Sequence, residues 1–266
     1  MHPVYRGLDT AHLTKIKKNE RIRYIMKKFS LYLIMAAFVL LNGTGGFCME
    51  NILFEPVSHA SFVIKSPKIT VYVDPVGNIK AFDAFPEPDL ILITHTHRDH
   101  LDPALVIALK KEKTAIIGPE AVIEQLKYGT KLKNGETLKM DNILIEAVPS
   151  YNTTPERLSF HPKGQGNGYV LTIGEKRIYI SGDTEDTPEI KQLKNIDYAF
   201  ICMNLPYTMT IEQAASTVLE MKPGTVFPYH YRGKEGMSDL NQFKTLVKKN
   251  EAIQVKMLNW YSHPDH

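Results

Sequence analysis

The sequence has 266 residues, of which 43% are hydrophobic and 23% are charged, and its formal net charge is +3. These proportions are typical of a globular protein and exclude a collagen-like, disordered or multi-span membrane chain. The two cysteines, Cys48 and Cys202, are too few for a disulfide-rich scaffold or a four-cysteine zinc site.

The N-terminal segment differs from the rest of the chain. Residues 1–48 hold eight Lys or Arg and two acidic residues, so residues 49–266 carry a net charge of −3. The apolar run at 29–41 is shorter than the ~20 residues that a transmembrane helix needs. It predicts a signal peptide, cleaved near Cys48, that exports the protein to the periplasm or outside the cell. The alternative is an uncleaved N-terminus that associates with a membrane through residues 29–41.

From residue 50 onward, strand and helix patterns follow each other without a repeat or linker. Short β-rich or apolar runs predict strands at 61–65, 69–74, 90–94, 114–117, 143–148, 169–173, 176–181, 198–203, 225–229 and 254–258. Helical patterns are predicted at 102–111, at 119–128 with Gly129 as the C-terminal cap, at 210–222 with a Thr210–Gln213 capping box, and at 239–249. We therefore predict a targeting extension over 1–48 and one α/β (α+β) domain over 49–266.

A dense histidine motif follows the apolar run at 90–94. It is H-x-H-x-D-H, formed by His95, His97, Asp99 and His100. Three imidazoles and one carboxylate within six residues are the ligands of a transition-metal site. A solvated histidine-rich turn is the alternative, and three histidines at this spacing disfavour it. The spacing predicts two metals, one taking His95 and His97 and the other taking Asp99 and His100.

This motif and four further segments resemble the metallo-β-lactamase superfamily over roughly residues 52–259, in particular its lactonase-like and phospholipase-D-like branch. The four segments are, in chain order, VSHASF at 57–62, VDP at 73–75, SGDT at 181–184 and PYHY at 228–231. The resemblance implies a four-layer αβ/βα sandwich whose site lies on loops at one edge. It also implies that Asp183 bridges two metals and that His230 is the last metal-binding histidine.

The family uses one further histidine between the H-x-H-x-D-H motif and the bridging aspartate. His161 is the only histidine in that interval, and we predict it as this ligand. Asn152 stands where related branches place the histidine. The alternative is therefore a weaker ligand set around the first metal, with His161 as an ordinary loop residue.

Several residues near these positions have two interpretations. Asp74 either accepts a hydrogen bond from a ligand imidazole and fixes its tautomer, or caps the turn at Pro75. His59 is similar to a family position near the pocket. Arg232 and Lys163 either contact an anionic substrate or are surface charges.

The resemblance implies a metal-dependent hydrolase that uses hydroxide held by two divalent ions, with Zn²⁺ expected and Mn²⁺ or Fe as alternatives. We predict attack on an ester, lactone or phosphodiester bond of a small molecule or lipid. Asp183 and Asp99 are the predicted catalytic residues, through metal bridging and orientation of the nucleophile. The alternatives are a non-catalytic metal-binding or sensor protein on the same fold and a β-lactam hydrolase. The charge of residues 49–266 disfavours a nucleic-acid partner.

Overall fold

The computed structural model describes residues 51–141 and 143–261. The predicted signal peptide or anchor at 29–41, its cleavage near Cys48 and the domain boundary at 48/49 lie outside these residues. Within them, no helix is both long enough and apolar enough to cross a lipid bilayer.

In the described part of the chain, six strands form the first sheet. Their bounds are β1 (Leu53–Ser58), β2 (Ser61–Lys65), β3 (Thr70–Val73), β4 (Leu90–Leu92), β5 (Ala115–Gly118) and β6 (Thr130–Lys131). They lie side by side in chain order. β1, β2 and β3 pair antiparallel, whereas β3 through β6 run parallel. The strands predicted at 61–65 and 69–74 thus form an antiparallel pair.

A second sheet contains seven strands among the same residues. Their bounds are β7 (Thr137–Met140), β8 (Ile143–Ser150), β9 (Gly166–Ile173), β10 (Lys176–Ile180), β11 (Tyr198–Cys202), β12 (Thr225–Tyr229) and, later in the chain, β15 (Gln254–Val255). The order is β15-β12-β11-β10-β9-β8-β7, antiparallel from β7 to β10 and parallel from β10 to β15. Two short strands, β13 (Arg232–Gly233) and β14 (Gly236–Met237), form a separate ribbon.

The described residues form five helices, and side chains cap the first backbone N–H groups of three of them. Their bounds are α1 (Pro103–Leu109), α2 (Glu120–Leu126), α3 (Pro188–Lys191), α4 (Ile211–Met221) and α5 (Leu240–Val247), with single 3₁₀ turns at Ile79–Phe82 and Pro155–Arg157. The Asp102 and Asp239 carboxylates cap α1 and α5. The predicted capping box of Thr210 and Gln213 is present at the start of α4 and leaves fewer of its first N–H groups unpaired.

The four-layer sandwich is confirmed. In the first sheet, side chains at alternate positions point to opposite faces, so each face packs against a different layer. The outer side packs against α1 and α2 in a cluster that includes Val63, Tyr72, Ile91, Ile116, Val106 and Val122. The neighbouring positions face the second sheet in the main core, which includes Phe62, Ile64, Val71, Leu90, Ile145, Leu171 and Phe200. The rings of Phe62 and Phe200 stack across the sheets with centroids 4.5 Å apart.

The sequence misplaced several element ends and missed β1, β6, β7, β13, β14 and α3. The strand predicted at 90–94 ends at Leu92, because the backbone then turns into the histidine loop. Gly129 is not the cap of α2, since Lys127 already adopts the left-handed conformation (φ 57°) that ends the helix. Strands β8 and β9 extend beyond their predicted bounds into the region of the histidine loop.

Candidate metal centre

The predicted ligands come together at one edge of the sandwich, where strands end and loops begin. His95 to His100 follow β4, Asp183 follows β10, and His230 follows β12. These strands run parallel to neighbours within their sheets, so their carboxyl ends open toward the same edge. His161 reaches that edge from the loop between β8 and β9.

The first cluster consists of His95, His97, His161 and Asp183. One nitrogen or oxygen atom from each of these side chains lies within 4.8 Å of the others, close enough to bind one metal ion. His95 Nε2 lies 3.0 Å from His97 Nδ1, and His161 Nε2 lies 3.1 Å from Asp183 Oδ2. The pairing of His95 with His97 agrees with the division predicted from the motif spacing.

The second cluster consists of Asp99, His100, Asp183 and His230. His100, Asp183 and His230 form one group able to hold a metal ion. Asp99 lies at its rim, with Oδ2 at 3.4 Å from His230 Nε2 and at 3.9 Å from His100 Nε2. His59 also faces this carboxylate, at 3.3 Å. His230 therefore belongs to two groups of potential ligands, one with His59 and Asp99 and the other with His100 and Asp183. The shared metal for Asp99 and His100 stays a prediction.

Asp183 is shared by the two clusters. Its Oδ2 faces His161, whereas its Oδ1 lies 3.3 Å from His230 Nε2 and 3.4 Å from His100 Nε2. The preceding Gly182 has a φ of 58°, and a Cβ there would lie 2.9 Å from the carbonyl oxygen of Asn167. The chain can therefore turn Asp183 into the site only with glycine before it.

The site fits metal ions because several of its buried polar atoms have no hydrogen-bond partner among the described residues. These atoms include His100 Nε2, His161 Nε2 and Asp183 Oδ1. Buried polar atoms normally find a partner, and unpaired ones point to an ion or water. Imidazole and carboxylate are the ligands that Zn²⁺, Mn²⁺ and Fe accept.

One buried carboxylate orients imidazoles in both clusters. Asp74 accepts hydrogen bonds from Thr94 N, from Thr94 Oγ1 and from His100 Nδ1, all within 2.8 Å. Because the Thr94 hydroxyl donates to Asp74, its oxygen is free to accept from His95 Nδ1 at 3.0 Å. In the neutral form of each ring, the proton is thereby on Nδ1 and the lone pair of Nε2 is directed into the site. Asp74 supports ligand imidazoles, which decides between its two interpretations.

Contacts between loop segments position the His161 side chain. Its Nδ1 lies 3.1 Å from the carbonyl oxygen of Tyr207, which can accept the ring proton and leave Nε2 facing Asp183. Asn152 donates to the same carbonyl oxygen at 2.7 Å, and its backbone N–H donates to the His161 carbonyl at 2.9 Å. Asn152 therefore holds the loop that brings His161 to the site.

Glu185 stabilises the same loop from below. This fully buried carboxylate accepts hydrogen bonds from the backbone N–H groups of Thr153 and Thr154, both at 2.6 Å, and pairs with Arg157 at 2.6 Å. Burial alone would raise the pKa of Glu185, but the contacts with Thr154, Thr153 and Arg157 outweigh it and lower the pKa to about 2. No motif in the sequence pointed to Glu185, although it lies directly after the SGDT segment.

The imidazoles of the two clusters have opposite charge preferences. Burial lowers the pKa of His95 and, together with His161, that of His97. Burial acts in the same direction on His230, but Asp183 and Asp99 outweigh it and raise its pKa to about 10. Asp183 and Asp74 likewise raise the pKa of His100 against burial.

Three site residues have left-handed backbone conformations that non-glycine residues seldom adopt. They are His59 (φ 55°), Asp74 (φ 44°) and His230 (φ 46°). Each lies directly after a strand, and the reversal directs its side chain toward the histidine loop. Such conformations concentrate at functional sites, where the surrounding structure compensates their cost.

Tyr261 and His59 close one side of the site. His59 Nδ1 lies 2.9 Å from the Tyr261 hydroxyl, and His59 Nε2 faces Asp99. Burial lowers the pKa of His59 to about 4, so the ring is neutral near pH 7. The sequence placed His59 near the pocket, but nothing in the motifs pointed to Tyr261.

Arg232 and Lys163, the two predicted contacts to an anionic substrate, lie in different surroundings. The Arg232 side chain lines a cavity beside Asp99. Lys163 instead points away from the clusters, with Nζ 3.2 Å from the Tyr151 hydroxyl and 3.1 Å from Glu189. Lys163 is therefore a surface charge. Cys202 is buried, and its thiol donates to the Thr184 carbonyl, as expected for a core residue.

The chain is similar to known metal-dependent hydrolases in sequence and in structure. Residues 55–230 match the model of the beta-lactamase superfamily domain. A UPF0173 metal-dependent hydrolase from Pyrococcus abyssi is 31% identical over 216 residues, which cover 75% of this chain and 93% of that protein. A crystal structure from Parabacteroides distasonis, assigned as a metal-dependent hydrolase, is 41% identical with a TM-score of 0.72, covering 77% of this chain and 92% of that one. The metallo hydrolase Igni18 from Ignicoccus hospitalis, 22% identical, shares the fold with a TM-score of 0.67 over 78% of this chain and 95% of its own.

Proposed function

Because the chain belongs to the metallo-β-lactamase superfamily and is a metal-dependent hydrolase, we propose that it uses two divalent metal ions to hydrolyse an ester, lactone or phosphodiester bond. The proposed substrate is a small molecule or lipid. The observation that carries the proposal is the position of Asp183, whose two oxygens face different groups of histidines. A single carboxylate between two such groups is the arrangement that a dinuclear centre needs.

The residues that would hold the ions are those of the two clusters. His95, His97 and His161 would bind one ion, and His100 and His230 the other, with Asp183 binding both. Asp99 would join the second ion from the rim, where it lies 3.4 Å from His230 Nε2 and 3.9 Å from His100 Nε2. When bound, two such ions lower the pKa of a water molecule and stabilise negative charge that develops on the substrate.

Asp74 and Asp99 would orient the ligand imidazoles and the attacking water. Asp74 holds the His100 ring directly and the His95 ring through Thr94, so the ligand geometry is set before substrate arrives. Asp99 is 46% exposed, and contacts with His230 and His59 keep its pKa low despite partial burial. An ionised carboxylate at the rim can accept a hydrogen bond from the attacking water and orient it.

The alternative of a β-lactam hydrolase with a cysteine ligand is disfavoured by the position of Cys202. Its thiol is buried in the core and bonded to the Thr184 carbonyl, and it belongs to none of the potential metal groups in the described residues. The second cluster uses carboxylates instead.

The test combines metal analysis with a substrate panel. The purified protein is loaded with Zn²⁺, Mn²⁺ or Fe²⁺, its bound metal is counted by mass spectrometry, and it is assayed with chromogenic lactone, aryl ester, bis-aryl phosphodiester and cephalosporin substrates. Two ions per chain with fast turnover of one of the first three substrates would support the proposal. Tight metal binding without turnover of any substrate would instead support a metal-binding or sensor protein.

We also propose that the protein is exported, on the basis of the charge and hydrophobicity pattern of residues 1–48. N-terminal sequencing of protein recovered from fractionated cells tests this proposal. A mature chain that begins near residue 49 in the periplasmic or secreted fraction would support export. An intact N-terminus in the membrane fraction would support an anchor.

A further inference from the structure

A cavity of about 330 Å³ lies beside the second cluster, on the side of Asp99. Its volume is in the range of small-molecule sites. Two arginines, Arg98 and Arg232, line it together with Asp99 and His59, and the remaining lining residues are small or uncharged: Ser58, Ser61, Val76 and Gly77. The cavity therefore places two guanidinium groups next to the proposed reaction site.

Arg98 is fixed in position by its neighbours in the chain. It lies between His97 and Asp99, in a loop closed by hydrogen bonds from the N–H groups of His100 and Leu101 to the His97 carbonyl, at 2.9 and 2.8 Å. Its side chain is exposed. Within residues 51–141 and 143–261, no carboxylate forms an ion pair with it. The guanidinium thus remains available to a ligand in the cavity.

Arg232 is held against an aromatic ring. Its guanidinium carbon lies 4.9 Å from the centroid of Tyr261, a cation–π geometry, and its backbone N–H donates to the Tyr261 hydroxyl at 3.1 Å. The same hydroxyl contacts His59. Tyr261 therefore positions Arg232 and His59 together on one wall of the cavity.

The pocket on the first-cluster side has a different character. It is lined by cluster residues and by Thr96, Ser150, Phe160, Pro162, Gln165 and Gly166, so the described residues that line it include no Lys or Arg. Of the residues that line these two pockets, both arginines belong to the cavity beside Asp99. Arginine forks match the oxygens of phosphate and carboxylate groups, to which they donate paired hydrogen bonds.

We propose that the substrate carries an oxyanion group, phosphate or carboxylate, separate from the bond that is cleaved, and that Arg98 and Arg232 bind this group. The inference rests on the proposed hydrolase function and narrows its substrates to anionic ones. The bound oxyanion sets the direction in which the substrate lies across the site, with its charged end toward Asp99 and its cleaved bond at Asp183. Arg98 and Arg232 are thus specificity-determining residues.

The first test uses pairs of aryl esters that differ only in a terminal group. One member ends in a carboxylate or a phosphonate, and the other ends in the neutral carboxamide. We expect the metal-loaded wild type to prefer the anionic member in kcat/KM by roughly tenfold or more, as charge-assisted hydrogen bonds allow. Arg98→Gln and Arg232→Gln should each reduce this preference, and the double variant should abolish it. Comparison of the carboxylate with the phosphonate identifies the preferred group.

Lys113→Gln is the matched control, because it removes the same charge from an exposed loop between α1 and β5. It should keep the wild-type preference. An equal loss of preference in Lys113→Gln would mean that only the overall charge matters, and this result would overturn the subsite.

A second measurement does not depend on turnover. In the zinc-loaded protein labelled with ¹⁵N, methylphosphonate or acetate should shift the side-chain Nε–H resonances of Arg98 and Arg232, assigned from the two Gln variants. The resonance of Arg177, which is paired with Glu146 at 2.8 Å, should not move. Shifts without hydrolysis of any ester, lactone or phosphodiester of the substrate panel would retain the anion subsite and reject the hydrolase proposal. Equal hydrolysis of both ester members by wild type and variants, without shifts, would retain the hydrolase and reject the subsite.

Discussion

The two clusters contain similar ligands, but they differ in what holds those ligands in place. In the second cluster, His100 and His230 are almost completely buried, and His100 is held by the Asp74 carboxylate. In the first cluster, His97 is exposed and His161 depends on a backbone carbonyl in a loop. The two histidines of the second cluster are therefore part of the core, whereas the first cluster depends on the loop between β8 and β9 for His161.

The charge preferences follow the same division. Without metal, carboxylates favour protonated rings at His100 and His230, whereas burial favours neutral rings at His95 and, together with His161, at His97. A metal entering the second cluster must displace protons, and a metal entering the first meets rings that are already neutral. Two clusters with nearly the same ligands can therefore differ in their metal-binding behaviour.

The largest effect is expected from Asp183→Asn, because this change affects both clusters at once. We expect activity to fall by about 1,000-fold or more and the metal content to drop, since both ions lose the shared ligand. Activity assays and metal analysis by mass spectrometry measure the two effects. Asp141→Asn is the control: Asp141 is exposed with a left-handed φ of 47°, which asparagine tolerates. Turnover near that of the wild type in Asp183→Asn despite reduced metal would refute the dinuclear account.

His161→Ala tests whether the first cluster can be lost alone. We expect the bound metal to fall from two ions to about one per chain and activity to fall by more than the 10–100-fold typical of a lost outer partner. His230→Ala is the matched change in the second cluster. Loss of both ions in His161→Ala, with the fold intact by circular dichroism, would show that the clusters are not separable.

Acid should destabilise the loop of the first cluster through Glu185. Its pKa is lowered from 4.5 to about 2, so its contribution is complete above pH 4.5 and is lost as the pH falls toward 2. At 1.36 kcal/mol per pKa unit, the contribution is about 3 kcal/mol. Urea unfolding of wild type and Glu185→Gln across this range should give a difference in unfolding free energy that shrinks as the pH falls. A constant difference, or an equal effect in the exposed control Glu175→Gln, would contradict this assignment.

The smallest effect is expected from the residues behind the ligands, Asp74 and Thr94. Asp74→Asn should weaken metal affinity in both clusters by about 10–100-fold, because Asp74 supports His100 directly and His95 through Thr94. Thr94→Val removes the link to His95 and a longer contact with His100 Nδ1 at 3.3 Å, so it should weaken the first cluster more than the second. Competition titrations with a zinc chelator separate the two affinities. Equal losses in both clusters for Thr94→Val would contradict the role of the hydroxyl in orienting His95.

Much of this arrangement could be predicted from the sequence because it depends on local patterns. The apolar run before His95 indicates a buried strand, and the motif spacing anticipates the proximity of His95 and His97. The spacing also predicted one metal for Asp99 and His100, whereas Asp99 groups with His59 and His230. His161 was predicted from the family resemblance, as the only histidine in the interval where that family has a ligand, since no spacing rule links it to the other residues. Asn152, Glu185 and Tyr261 act through contacts between residues distant in sequence, and no local pattern records such contacts. Helix ends also failed, as at Lys127, because the cap conformation depends on tertiary packing.

The contact between His59 and Tyr261 has a further consequence for how the protein folds. It joins positions 202 residues apart, and the His59 backbone N–H also reaches the Trp260 carbonyl at 3.4 Å. Closing a loop of that length carries a large entropic cost, so we expect this corner to form late, after the local strand pairs. The wall that carries Arg232 is then completed only when both ends of the domain have met. The proposed anion-binding site around Arg232 is therefore complete only after the whole domain has folded.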